Sequence, residues 1–251
     1  MSPDLLPLFL FSMIMMLAVY VHTVTGFGLA MIVMGLASGM GVYSVATMAT
    51  VISIVTLLNS VVALRGNLHH LPRGPTLVLS LAVLPASVLG VLLLNYLSDG
   101  MTQVVQVLLG LVIIYGGVSM AWRPQALTQL SGRFSFAWYG FVSGITGGLF
   151  SIPGPPLIYQ LYRQPLSLAQ IRNALIFLNA VISVARTAFV GWQGGIQSEE
   201  IMLSVVTLPL VVLATMAGRR WLPPFSMAAM RRFAFIVLVA MGVGLIIPVL
   251  W

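Results

Sequence analysis

The sequence predicts an all-α polytopic membrane protein, and three observations lead there. Apolar residues fill 60% of the 251 positions and charged residues only 6%, with a mean hydropathy of +1.09. A soluble domain carries about 25% charged residues. The apolar residues are gathered into about eight long segments, where a bilayer crossing needs roughly 20 such residues in helical form. Finally, the second half of the chain repeats the first in outline.

The first run, residues 5–37, is longer than one span and is interrupted by Thr25-Gly26-Phe27-Gly28. It has no basic leader and no small-x-small cleavage pattern, so it reads as a retained helix and not a signal. Residues 42–64 form the second run, ending at Arg65; the loop that follows carries His69, His70 and Arg73. Residues 76–97 and 101–122 are the third and fourth, separated by Asp99-Gly100. A polar stretch, 123–133, divides a first membrane repeat (1–122) from a second (134–251). The fifth run, 134–162, is interrupted at residues 144–156, Gly-Ile-Thr-Gly-Gly-Leu-Phe-Ser-Ile-Pro-Gly-Pro-Pro. Runs over 169–190, 201–217 and 233–251 complete the chain.

The two halves align residue by residue at several points. Thr25-Gly26 matches Thr146-Gly147 and Arg65 matches Arg186, both 121 positions apart; Leu84-Pro85 matches Leu208-Pro209 at 124, and Gly117-Val118 matches Gly242-Val243 at 125. Ordered matches with a slowly growing offset indicate a duplication. The loop after the second run is basic, yet its counterpart after the sixth holds Glu199-Glu200; the loops after the third and seventh runs swap the other way. Because arginine-rich loops stay in the cytoplasm, equivalent loops lie on opposite sides. The expected architecture is therefore an inverted repeat with broken or re-entrant first and fifth segments and both termini outside.

Composition also narrows the chemistry. Cysteine and lysine are absent, and the net charge of +7 comes from arginines that punctuate apolar runs. Such spacing suits orientation against the inner leaflet, with membrane lipid as neighbour, and not nucleic acid. The 15 methionines are scattered as packing residues, and His69-His70 lacks further ligands, so no metal site or cofactor is expected. No nucleophile–base set, carboxylate pair or phosphate loop is present, so the chain does not read as an enzyme.

The interruptions carry the candidate site. Proline removes a backbone donor and clashes with the preceding turn, and glycine loosens a helix. Broken helices at membrane depth are tolerated only where protein or a polar cavity satisfies the freed backbone. Their ends expose N–H groups and the positive pole of a helix dipole, which suits an anion. The substrate-binding set read from the sequence is Thr25, Gly26, Phe27, Gly28, Thr146, Gly147, Gly148, Ser151, Pro153, Gly154 and Pro155 from the two breaks, with Asn179 and Arg186 from the sixth run. Arg186 lies among apolar neighbours with no membrane carboxylate to pair with, so an anionic substrate is its expected partner; snorkelling is the competing reading. His22, one turn before the first break, is a candidate proton relay, against a helix–helix hydrogen bond.

The Thr25-Gly26-Phe27-Gly28 start, the Gly-Gly-Leu-Phe-Ser-Ile-Pro-Gly-Pro-Pro motif and the duplicated layout resemble the TauE/SafE family of sulfite and organosulfonate transporters over nearly the whole chain. Ser151 and the Pro153-Gly154-Pro155 order stand where that family commonly has more glycines. The resemblance implies export of sulfite or a related sulfur-containing anion across the bacterial inner membrane; alternating access around the two helix breaks is the expected mechanism. An anion channel or an uptake permease for another small anion or organic acid are the alternatives, distinguished by unitary currents and by the direction of saturable flux. A non-transporting assembly subunit would tolerate replacement of the Gly/Pro motif. A homodimer is compatible with the chain.

Overall fold

The computed structural model describes residues 5–39, 43–98, 101–121, 127–221 and 227–250. Ten α-helices and no strand occur among them: α1 (Leu5–Thr25), α2 (Leu29–Gly39), α3 (Val45–Leu64), α4 (Arg73–Ser98), α5 (Thr102–Ala121), α6 (Arg133–Phe150), α7 (Gly154–Tyr162), α8 (Leu168–Trp192), α9 (Ser198–Arg220) and α10 (Met227–Leu250). Five of the described helices contain a stretch long and apolar enough to cross a membrane, in α1, α3, α4, α8 and α9. The chain is a multi-pass membrane protein. Asp99, used in the charge reading, lies outside the described residues.

The first run is broken where its sequence predicts, at Gly26–Gly28. The second break is narrower than the motif suggested. α6 continues through Gly144, Thr146, Gly147 and Gly148 to Phe150, and only Ser151, Ile152 and Pro153 are non-helical. Pro155 and Pro156 fall in the first turn of α7, where a missing N–H leaves no intrahelical bond unmade. Ser151 closes α6 much as Gly26 follows α1, each with positive φ at a helix end (+55° and +87°).

Helix ends follow local chemistry. Ser167 and Gln170 form a reciprocal capping box at the start of α8, with bonds of 3.3 and 2.9 Å, and Ser44 caps α3 through the Thr47 N–H at 3.0 Å. α9 opens with Glu199 and Glu200 and closes with Arg219 and Arg220, both favourable to its dipole.

Glycine sets the packing of the helix pairs. Gly140, Gly144 and Gly148 recur every fourth residue along α6 and meet Leu79–Ala82, Val83–Ala86 and Ser87–Gly90 of α4 at backbone distance. On α5 and α10, Gly110 and Gly242 oppose each other's carbonyls, and the Gln106 amide donates to the Leu245 carbonyl at 2.9 Å. Small residues at every fourth position let membrane helices approach closely. Buried Asn59 on α3 donates to the hydroxyls of Thr23 on α1 and Thr215 on α9, each at 2.8 Å.

Polar contacts at the helix ends define two poles. At one, Arg219 donates to the carbonyls of Val62 and Arg65, joining the ends of α9 and α3. There too Asn173 near the start of α8 donates to the Asn67 carbonyl. At the other, Asn95 near the end of α4 donates to Gln193 just past α8, and Phe11 of α1 packs edge-on to Tyr43, which precedes α3. Burial and then the Glu199 carboxylate at the start of α9 raise the Tyr43 phenol above its ordinary value.

Candidate functional site

Both breaks open onto one small cavity. It is lined by His22, Phe27, Gly28, Leu29, Ala30, Met31, Thr56, Ser151, Ile152, Pro153, Gly154 and Asn179 and has about 10 Å³ of free volume, room for about one water. Thr56 and Asn179 lie near the middles of α3 and α8, so the cavity sits midway along these helices. Binding of anything larger than a water requires the surrounding elements to part.

The first-turn N–H groups of a helix have no intrahelical acceptor. At α2 these belong to Gly28, Leu29, Ala30 and Met31, and all four residues line the cavity. At α7 the same positions are Pro153, Gly154, Pro155 and Pro156, so Gly154 alone brings a donor. Leu29, Ala30, Met31, Thr56 and Ile152 were missed from sequence because their side chains carry no signal of a ligand; counting forward from the first break to the first helical turn would have found the first three.

The predicted site residues separate into two groups. His22, Phe27, Gly28, Ser151, Pro153, Gly154 and Asn179 reach the cavity. Thr25, Gly26, Thr146, Gly147, Gly148, Pro155 and Arg186 are not among its lining residues and shape the breaks instead. The Thr25 hydroxyl lies 2.7 Å from the Val21 carbonyl oxygen and 2.8 Å from that of Phe27, and accepts from the Phe27 N–H at 3.3 Å. Gly26 turns the chain at a φ that favours glycine, beside the Arg172 backbone. Ser151 holds a left-handed conformation uncommon for a non-glycine residue. Its hydroxyl is 2.8 Å from the Ala49 carbonyl oxygen and 2.7 Å from the Ser53 hydroxyl, which pins the second break to α3. Thr146 bonds back into its own helix.

Arg186 is 1% exposed, and two of its five N–H donors are engaged with protein. Nε donates to the Gly148 carbonyl at 3.0 Å and a terminal nitrogen to the Thr50 hydroxyl at 3.3 Å. The sequence reading assigned this charge directly to an anion. In the structure it meets the carbonyl end of α6, whose dipole is negative.

The arrangement therefore offers converging positive helix ends, a buried amide and an imidazole around a midpoint cavity, with no nucleophile–base pair. Residues 11–245 match the family described as sulfite exporter TauE/SafE. The chain belongs to this family. A "probable sulfite/organosulfonate exporter TauE" of Cupriavidus necator is 46% identical over 244 residues, covering 97% of this chain and 95% of the relative. No solved structure gives a significant match. Membership of the TauE/SafE family makes the protein a membrane transporter and not an enzyme.

Proposed function

We propose that this TauE/SafE protein exports a small sulfur-containing anion, sulfite or an organosulfonate, across the bacterial inner membrane by alternating access around the cavity between the two breaks. The observation that carries the reading is the set of four successive α2 N–H-bearing residues lining the same cavity as Gly154. A helix N-terminus binds oxyanions through just such donors. The name of the Cupriavidus necator relative supports the substrate class.

An inverted repeat of residues 1–122 and 134–251, joined by 123–133, gives the machinery. The end contacts support it. α1 starts beside Tyr43 at the start of α3, so the α1–α2 hairpin enters from that pole. Gln164, just past α7, bonds to Ser131, just before α6, and both lie near the start of α8, so the α6–α7 hairpin enters from the opposite pole. Arg65, Arg73, Arg133, Arg163, Arg219 and Arg220 gather at this second pole, which positive-inside logic assigns to the cytoplasm. In a chain without cysteine, His69→Cys and Ser198→Cys should label from opposite sides of the membrane. Labelling from one side would overturn the inverted arrangement.

The substrate is tested by thermal stability of the detergent-purified protein with sulfite, sulfoacetate, isethionate, taurine, sulfate and acetate. A ligand of the folded state stabilises it by about 2.7 kcal/mol at a hundredfold excess over Kd. The expected outcome is a saturable rise with sulfite or a sulfonate and none with acetate. No rise with any sulfur anion would overturn the reading.

A further inference from the structure

His22 is the least explained polar residue of the cavity. It is 2% exposed, and neither ring nitrogen has a hydrogen-bond partner among the described residues, although buried polar groups are as a rule paired. The cavity lining contains no arginine, lysine or carboxylate, and among its described residues the imidazole alone titrates near neutral pH. An anion seated on the α2 N-terminus would lie in the same small space as this ring.

We propose that His22 takes up a proton together with the anion, so that cargo and proton occupy the site as a pair. The proposal rests on the anion reading above and specifies its coupling. Burial disfavours a charged group and an adjacent opposite charge favours it, so an arriving anion supplies the condition for protonation. The proton comes from the aqueous side to which the site is open and binds one ring nitrogen. The N–H so formed donates to an oxygen of the anion in a charge-assisted hydrogen bond. No bond within the anion changes.

The charged neighbours of His22 are few. α1 packs against α2, α3, α8 and α9. α2 and α3 carry no ionisable side chain. α9 contributes Glu199 and Glu200 at one end and Arg219 and Arg220 at the other. α8 contributes Arg186, engaged with Gly148 and Thr50, and Arg172, whose charge acts on the ring. Among the described residues Arg172 is the charge that acts on the ring, and no carboxylate does, so the cargo itself is the counter-ion. A monovalent anion carried with one proton moves no net charge, and its flux then follows concentration and pH instead of the membrane potential.

Isethionate tests this, because its sulfonate does not titrate between pH 6 and 9 on the chemistry of so strong an acid, leaving the protein as the source of any proton change. Calorimetric titration of the full-length protein in buffers of different ionisation enthalpy counts the protons. The expected result is uptake of about one proton per ligand, with Kd weakening by up to about tenfold per pH unit on the alkaline side, as one-proton linkage requires. His22→Gln should bind with no uptake and a flat pH profile, while the double variant His69→Gln/His70→Gln keeps it. The chain has three histidines and no lysine, so uptake that survives both the double variant and acetylation of the α-amino group, which titrates at about pH 8, assigns His22 even if His22→Gln does not fold. Binding without proton uptake, or uptake retained in His22→Gln or lost in the double variant, overturns the proposal while leaving the anion site standing. No binding of isethionate or sulfite overturns the site as well.

Discussion

Gly148→Ala is expected to leave little folded protein in the membrane. A Cβ there would stand 2.1 Å from the Ser87 carbonyl oxygen and 2.8 Å from the Gly90 Cα, both backbone atoms that no side-chain rotation can move aside. Overpacking typically destabilises by about 1–3 kcal/mol, and a clash of backbone with backbone lies at or above the upper end of that range. Separating α4 from α6 would also displace the Gly148 carbonyl that Arg186 holds. Yield of monodisperse protein after detergent extraction measures the effect. Gly74→Ala, with no atom within 4 Å of the added carbon, is the control and is expected to match the parent.

The second large effect is at Arg186. Arg186→Met removes the bonds to the Gly148 carbonyl and the Thr50 hydroxyl and exposes the negative end of α6 to the cavity. Hydrogen bonds to charged groups contribute about 1.5–3 kcal/mol each, and those between membrane helices are often weaker, so a loss of about 2–4 kcal/mol is expected. Chemical denaturation in detergent measures it. Arg186→Lys should recover only part, since one ammonium cannot reproduce the two directed bonds of the guanidinium fork. Arg65→Ala, at an exposed helix end, should fall within about 0.5 kcal/mol of the parent. If Arg186→Met were as stable as the parent yet no longer bound sulfite, the arginine would be a direct ligand and its assignment to the α6 end would be wrong.

These two residues show where sequence reasoning succeeds and where it stops. Hydropathy places the helices, because the bilayer demands long apolar runs, and the first break is legible at Gly26 because no other residue adopts its backbone so readily. The Gly/Pro motif is legible as an interruption, but not its extent. Proline in the first turn of a helix and glycine against a neighbouring helix leave the same letters as proline and glycine that break one. Only the position of α4 decides that Gly144 and Gly148 are packing surfaces. Arg186 is legible as a buried charge needing a partner, yet its partner is a backbone carbonyl, and a carbonyl has no letter in the sequence. The start of α2 is hidden for the same reason: what Leu29, Ala30 and Met31 would offer an anion is main chain.

The two prolines that follow Gly154 make the breaks unequal in a way their shared outline conceals. One hairpin brings four N–H-bearing first-turn residues to the cavity; the other brings Gly154 alone from its first turn, beside Pro153, Ile152 and Ser151. On the proposed reading the ligand is clasped by the first half and merely walled in by the second. It would travel with α1 and α2 when the halves rock, and would be no common possession of both. Changes in α7 should then alter the shape of what is admitted, while changes at the start of α2 should alter how tightly anything is held.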